Sequence, residues 1–596
     1  MTLPDEAPLK FRPPARAPGR QPGGTRRLTL VFPPMTMPTS PPLGIAMLKA
    51  YIERELPQWR VTIIDLNIWL FRLLLSGIER GEIGLTDAMH RRMGADTATL
   101  LHAARAFSGL DDEAFYQRPE VYDLHGRTFL NFTEVFKEML TEECAQWERG
   151  EELSHLLQQL VDRILESQPQ ALGVSMIFSE QLPIGAMLGR WFRERAGLKV
   201  FFGGSCFTEG VEHFMKWYPR AADAIVTGDG ELPLKALLEN GGDPRGVAGA
   251  TWREGDEVRR LPASYQKDID AFGAPDFSTV DFSQYYSPRP VAALLLSRGC
   301  YWRKCTFCVH FHSAGDTYRL HSLDNVIEML RRMVAQGVRH FSFVDEMIAP
   351  GHFVRLAQAI READLDIAYY ALSKPNRTFT PEILREMAAS GCKYILWGLE
   401  SGNQRILDLM GKGTKVDEVA EVLHNARAAG IHNHVYVICG FPTETPQEFG
   451  DTLRFLWEHR DAISAIHRSV FSLEQGSPIS KDLAKFSIDE VWLRQDGPLG
   501  GRMGYRCASG MTMEEAAAQF QAALPMFRRF HPYAQYMANF RDHALLLYAQ
   551  RGPTLDFDAR GIPAVPGLAL SGPPIAPAPA LRPGTVEELT ELTDAA

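Results

Sequence analysis

Three times between residues 322 and 442 the chain repeats one phrase: an amphipathic helix, a glycine, then an apolar strand whose far end turns polar. "SLDNVIEMLRRMVAQG" leads to "VRHFSFVDE", "TPEILREMAASG" to "CKYILWGLE", and "KVDEVAEVLHNARAAG" to "IHNHVYVICGFP". Gly337, Gly391 and Gly430 stand where a helix wants a left-handed residue after its last turn. Thr445-Pro446-Gln447-Glu448 is a capping box with proline at the first helical position, so another helix begins there. Helices alternating with apolar strands indicate a parallel sheet, here a full or partial βα barrel. In such barrels the chemistry gathers where strands end. The polar strand ends are Asp345-Glu346, Glu400-Ser401 and the stretch from Gly440 through Glu444.

The same alternation appears earlier. "LTLVF" (28–32), the amphipathic "LGIAMLKAYIERE" (43–55) and "VTIID" (61–65) read as strand, helix, strand. The pattern resumes at "ALGVSM" (171–176), "KVFFGG" (199–204) and "AIVTGDGE" (224–231), after mostly helical sequence over 68–170. The expected class is α/β: a doubly wound, Rossmann-like domain over 28–240 with a helical insertion, a linker over 241–290, a barrel over 291–480 and a helical C-terminal cap over 481–552. Residues 1–27 and 553–596 are Pro-rich and have little to bury, so they read as solvated arms.

Composition excludes several classes. A formal charge of −10 gives no basic footprint and argues against a nucleic-acid partner. The most apolar stretch, "IWLFRLLLSGI", is short and interrupted by Arg72, so no membrane span is expected. Arg26-Arg27 could open a twin-arginine export signal, but the apolar run after it stops at Pro33-Pro34. Eight cysteines in 596 residues make no disulfide scaffold, and the reading is cytoplasmic.

Three of those cysteines crowd together in "SRGCYWRKCTFCVHF" as C-x4-C-x2-C: Cys300, Cys305 and Cys308. One reading is structural zinc, with His310 or His312 as fourth ligand. The other is an iron–sulfur cluster, since soft thiolates suit both. The array follows the apolar strand "VAALLLS", the first of the barrel series, which puts the thiolates at a rim where catalysis is expected. Three cysteines hold three irons of a cubane and leave the fourth open to substrate. Cys144, Cys206, Cys392, Cys439 and Cys507 are scattered and read mostly as small core hydrophobes.

A three-cysteine loop after the first barrel strand resembles the radical S-adenosylmethionine (SAM) superfamily. "FSFVDE", "WGLESGNQRIL" and "VICGFPTET" resemble that family's second-, fourth- and fifth-strand motifs, in order. The resemblance implies a partial (β/α)6 barrel and a 4Fe–4S cluster on Cys300, Cys305 and Cys308. It implies SAM contacts at Asp345, Glu346, Glu400, Ser401, Ile438 and Gly440. The family's usual spacing is C-x3-C-x2-C, so here the loop must bulge by one residue.

The first α/β unit is similar to the cobalamin-binding domain that precedes the barrel in many radical SAM enzymes. "PPLGIAMLKAYIE", "ALGVSMIFSEQ", "VFFGGS" and "IVTGDGE" fall in that order. The implied cobalamin contacts are Ser175, Ser179, Gln181, Gly203, Gly204, Gly228, Gly230 and Glu231. Asp123-Leu124-His125 lacks the glycine of the usual D-x-H-x-x-G motif, so no histidine ligand to cobalt is expected from this chain. The resemblance implies reductive SAM cleavage, hydrogen abstraction and methylation of an unactivated carbon of a peptide or other natural product, with a reducing partner such as flavodoxin or ferredoxin. Cyclisation or ring rearrangement without methylation is the alternative within the family; a zinc-stabilised, non-catalytic binding protein is the alternative outside it.

Overall fold

A computed structural model of the chain describes residues 25–109, 119–315, 317–494, 497–500, 502–529 and 539–551. Most of the N-terminal arm and all of the Pro/Ala-rich tail lie outside these residues. Two parallel sheets dominate. The first contains β1 (Arg26–Phe32), β2 (Trp59–Asp65), β3 (Ala171–Ser175), β4 (Lys199–Gly203), β5 (Ala224–Val226), β6 (Ala250–Glu254) and β7 (Glu257–Arg260), in the order β2-β1-β3-β4-β5-β6-β7. β1 to β5 are parallel. The order 2-1-3-4-5 reverses direction between β1 and β3, where doubly wound sheets open a crevice beyond their strand ends.

β6 and β7 add to this sheet antiparallel. The stretch read as a linker therefore extends the first domain. Its signal was "TWREGDEVRR", two polar-apolar runs around a Gly-Asp turn, with Gly255 left-handed at φ 64°. The expected helical insertion is present as Leu66–Glu79, Asp87–Met93, Thr97–Phe107, Pro119–Glu148 and His155–Leu165. Its buried Phe71, Phe107, Phe129 and Phe132 pack on one face of the sheet.

The second sheet begins with β8 (Val291–Leu294). β9 (Ser297–Arg298) and β10 (Arg319–Leu320) then pair antiparallel. β11 (His340–Phe343), β12 (Ala368–Ser373), β13 (Cys392–Glu400), β14 (His432–Cys439) and β15 (Ala465–Val470) complete a six-stranded parallel sheet in the order β15-β14-β13-β12-β11-β8. Gly337, Gly391 and Gly430 are all left-handed, and Thr445 caps its helix with Glu448 reciprocating.

Alternation along the strands separates two cores. Ile395, Trp397, Val435 and Val437 pack outward on helix residues such as Leu384, Met387 and Val422. Tyr370, Tyr394 and Leu396 face inward. The barrel is open on one side, and the C-terminal helix Arg541–Arg551 packs into its interior. Tyr548 of that helix shares a hydrogen bond with His434 at 2.9 Å, and the Tyr394 hydroxyl donates to the Arg541 carbonyl at 3.0 Å. The C-terminal segment is helical over Met513–Arg529 and Arg541–Arg551, but it first forms a small antiparallel sheet of β16 (Leu473–Glu474), β17 (Ile488–Leu493) and β18 (Arg502–Cys507). Among the described residues no helix is long and apolar enough to cross a membrane.

Candidate active site

The cysteine loop leaves β9 and returns at β10. Cys300 makes an isolated parallel bridge with Met347, just past β11, so the loop lies at the carboxyl ends of the barrel strands. Its tip is held by the turn after the Gln404–Leu409 helix. The Thr306 amide donates to the Met410 carbonyl at 2.8 Å, and Trp302 Nε1 to the Gly411 carbonyl at 2.8 Å. A Cβ on Gly411 would stand 2.4 Å from the Lys304 carbonyl oxygen, so this close approach requires glycine. Within the first gap, exposed Arg303 is left-handed at φ 51°, giving the loop a kink there. All three cysteines are free thiols, and burial pushes Cys308 up to about 12.

Two lysines meet this loop. Lys412 is buried and pairs with Glu400 at 2.7 Å. Burial pulls its pKa down, but Glu400 and Cys305 more than offset that, so it stays charged. Lys374 lies 3.1 Å from the centre of the Trp302 ring and donates to the Lys412 carbonyl. Burial and the neighbouring Lys412 charge push it down to about 8. Burial raises the Cys305 pKa, and the charges of Lys412 and Lys374 oppose that rise. Neither lysine stands in one of the resembling motifs; the signal for Lys412 is a lysine between two glycines in "MGKGT".

The expected SAM contacts separate by strand parity. Glu346 is exposed and lines a cavity, whereas Asp345 is fully buried and points the other way. The Asp345 carboxylate accepts from the Leu296 amide at 3.1 Å and the Ser297 hydroxyl at 2.5 Å. It braces the strand that leads into the cysteine loop, and burial pushes it up to about 7. Ser401 is also fully buried; it meets Thr452 at 3.1 Å and accepts from the Asn403 amide, turning the chain after β13. Gly440 is left-handed, and its amide donates to buried Glu444 at 2.6 Å. Ile438 lines a cavity of about 370 Å³ that also contains Phe307, Cys308, Ser469 and Met513.

A second cavity, about 440 Å³, lies between the carboxyl ends of the two sheets. Ser175, Gly203, Gly204, Gly228, Gly230 and Glu231 line it from the first sheet, and Arg298, Gly299, Val344 and Glu346 from the second. Val344 is 42 % exposed there, an uncovered apolar surface at a strand end. Gln181 is not part of this wall. It is fully buried, donates to the Pro33 carbonyl at 2.6 Å and accepts from the Ile177 amide, stapling the loop after β3. Ser179 is exposed on that loop and does not line the cavity. His125 is buried in the insertion beside His102 and Phe107 and lines neither cavity. The histidine that does line the larger cavity is His312, from the cysteine loop.

Comparison with known proteins decides the family of the barrel. The Radical SAM superfamily model matches residues 294–456. This segment is a radical SAM domain. Among curated relatives, an uncharacterized methyltransferase of Pyrococcus horikoshii is 30% identical over 264 residues, covering 43% of this chain and 57% of that protein. Cytidylyl-2-hydroxyethylphosphonate methyltransferase of Streptomyces wedmorensis is 28% identical over 334 residues, covering 48% of this chain and 60% of that one. The chain thus matches somewhat more than half the length of these relatives.

The radical SAM domain and the sheet before it share a fold with solved structures. The cobalamin-dependent SAM radical enzyme OxsB, solved with aqua-cobalamin bound, aligns with a TM-score of 0.60 at 16% identity, over 85% of this chain and 67% of that one. The radical SAM methyltransferase TsrM from Kitasatospora setae, solved with tryptophan substrate and a SAM analogue, aligns at 0.55 and 17% identity, over 83% of this chain and 88% of that one.

The donor set of the radical SAM domain suits a cluster better than a single ion. A tetrahedral zinc site brings its sulfurs within roughly 4 Å of one another, given bonds of about 2.3 Å. Among the described residues no three His, Cys, Asp or Glu side chains converge in that way. Three soft donors on one loop, with lysines beside them, suit a cubane bound at three corners. The larger cavity passes a separate test. A Cβ added to Gly44 would meet only the Ser175 hydroxyl, at 3.8 Å, and one on Gly230 only Leu48, at 3.6 Å. Both glycines line the cavity, so their missing side chains leave room for a bulky, flat ligand.

Proposed function

We propose that the chain is a cobalamin-dependent radical SAM methyltransferase acting on carbon of a peptide or other small natural product. The observation that carries this reading is the position of the cysteine loop between two cavities. Gly299 lines the one at the ends of the first sheet, and Cys308 lines the one inside the barrel mouth. Cys300, Cys305 and Cys308 would hold the cluster. Glu346, Glu400, Ile438 and the backbone around Gly440 would receive SAM, and Ser175, Gly203, Gly204, Gly228 and Gly230 would receive cobalamin. When bound, these groups supply reductive cleavage of SAM to a carbon-centred radical and a transferable methyl group.

The chain's own contribution is positioning and exclusion of water. Lys412 holds Glu400 in place through a 2.7 Å ion pair, with its ammonium near Cys305. Asp345 fixes the loop's entry and the Met410–Gly411 turn fixes its tip. The C-terminal helix fills the barrel interior with Tyr548 and its neighbours. Two curated relatives, named for methyl transfer to a cytidylylated hydroxyethylphosphonate and to a bacteriochlorophyllide, support the methyl-transfer reading and do not choose the substrate.

The test uses the full chain, reconstituted anaerobically with iron and sulfide, then given reductant, SAM, methylcobalamin and a substrate panel. 5′-Deoxyadenosine should form, and one substrate should gain about 14 Da, the mass of an added CH₂. Cys305→Ala should form no 5′-deoxyadenosine. A product of unchanged composition would make the enzyme a cyclase or rearrangement catalyst. 5′-Deoxyadenosine from Cys305→Ala would remove the cluster assignment altogether.

A further inference from the structure

Four charged side chains meet where the two sheets face each other. Arg298 and Arg319 are directly paired across β9 and β10, the strands that form the neck of the cysteine loop. Two like charges opposite each other on a ribbon repel. Two acids from the turn after β5 answer them. Arg298 reaches Asp229 at 2.8 Å and Glu231 at 2.5 Å, and Arg319 reaches Asp229 at 2.5 Å. All four side chains are buried or nearly so, the most exposed being Arg298 at 13%.

The surroundings finish the site. The Gln266 amide donates to Asp229, and Arg319 donates to the Gln266 and Ala314 carbonyls. The Arg298 guanidinium lies over Phe272 at 4.3 Å, and that of Arg319 over Tyr265 at 5.3 Å. Planar, bidentate groups of this kind hold an orientation that a lysine does not. A buried ionic set adds little stability over apolar residues of the same size, so its use lies in fixing one arrangement.

Glu231 was expected to contact a cofactor; its carboxylate is committed to Arg298. Resting on the cobalamin reading above, we infer that Asp229, Glu231, Arg298 and Arg319 are positioning residues. They anchor the neck of the cysteine loop to the first sheet and so set the separation between the cluster and the cavity at that sheet's strand ends. The loop is then pinned twice, at its tip by the barrel turn and at its neck by the other domain.

Two measurements on the full chain test this. The first is hydrogen exchange of amides 299–309 without cofactors, in wild type, Arg298→Lys and Glu231→Gln, with Arg245→Lys in an exposed ion pair as control. Loop exchange should rise about tenfold in the two neck variants and not in the control, while β12 to β14 stay protected. Because loss of one partner can unfold a buried set, Arg298→Met with Glu231→Leu is the apolar replacement; it should keep the barrel protected and still free the loop.

The second is the electron–electron dipolar interaction between cob(II)alamin and the reduced cluster. Its distance distribution should be narrow in wild type and broad in Arg298→Lys, with the cobalamin absorption retained. Unchanged loop exchange together with an unchanged distribution would overturn the inference. A wild-type protein that takes up no cobalamin would instead overturn the reading of the cavity, and the exchange measurement would still decide whether the quartet pins the neck.

Discussion

The two parallel sheets end in opposite ways. At the ends of the first sheet the wall is mostly glycine and small or apolar residues, and the acids that do occur there are consumed by arginines of the other domain. At the ends of the second sheet the charges turn inward: Glu400 and Lys412 pair beside three cysteines, and Glu346 is exposed at the rim. Both sheets obey the rule that chemistry collects beyond the carboxyl ends of parallel strands. The difference shows two ways of using that place. One sheet withdraws its side chains and leaves open space at its strand ends, and the other crowds polar side chains there; on the function proposed above, the first would receive cobalamin and the second SAM.

Mutation should split these two uses. The largest effect is expected at the crowded end. Lys412→Met strands the buried Glu400 charge and should destabilise the protein by about 3–5 kcal/mol, read as a shift of the denaturation midpoint. Adding Glu400→Gln should recover much of that loss without recovering SAM affinity. At the withdrawn end, Gly44→Leu should do the reverse. Leucine is a better helix former than glycine by about 0.8 kcal/mol, so stability should hold or rise. Its side chain would enter the larger cavity, and cobalamin affinity should fall about tenfold or more, a change of about 1.4 kcal/mol read by absorbance titration. A Gly44→Leu protein with full cobalamin affinity would erase the contrast. The smallest effect belongs to scaffolding outside either use. Thr445→Ala removes the capping hydroxyl that accepts from the Glu448 amide and should cost about 1 kcal/mol in thermal denaturation, with SAM cleavage retained.

Much of this was legible in the sequence because periodicity and punctuation agreed. The helix–glycine–strand phrases of the barrel, its capping box and the cysteine array all occupy the expected places. What was not legible depends on which side of a strand a residue faces after small shifts. Asp345 and Glu346 are neighbours in an acidic pair, yet alternation buries one and exposes the other. β13 shifts register between Gly398 and Glu400, and Glu400 is left-handed at φ 66°, a twist no propensity announces. Gln181 had the right chemistry for a nucleotide loop and spends it on Pro33 and Ile177. The arginine pair at the loop's neck joins positions 69 and 90 residues from Asp229, so only the fold brings those charges together.

The left-handed turn at Arg303 has a practical consequence. The interval before the second thiol turns through one solvent-facing kink with room to take up a residue, while the stretch from Cys305 to Cys308 is fastened through Thr306 and has no such kink. Length variation in arrays of this kind should therefore gather ahead of the middle sulfur and avoid the gap that follows it. A pattern search written with an elastic first interval and a rigid second one would recover chains like this, where a fixed template passes them by.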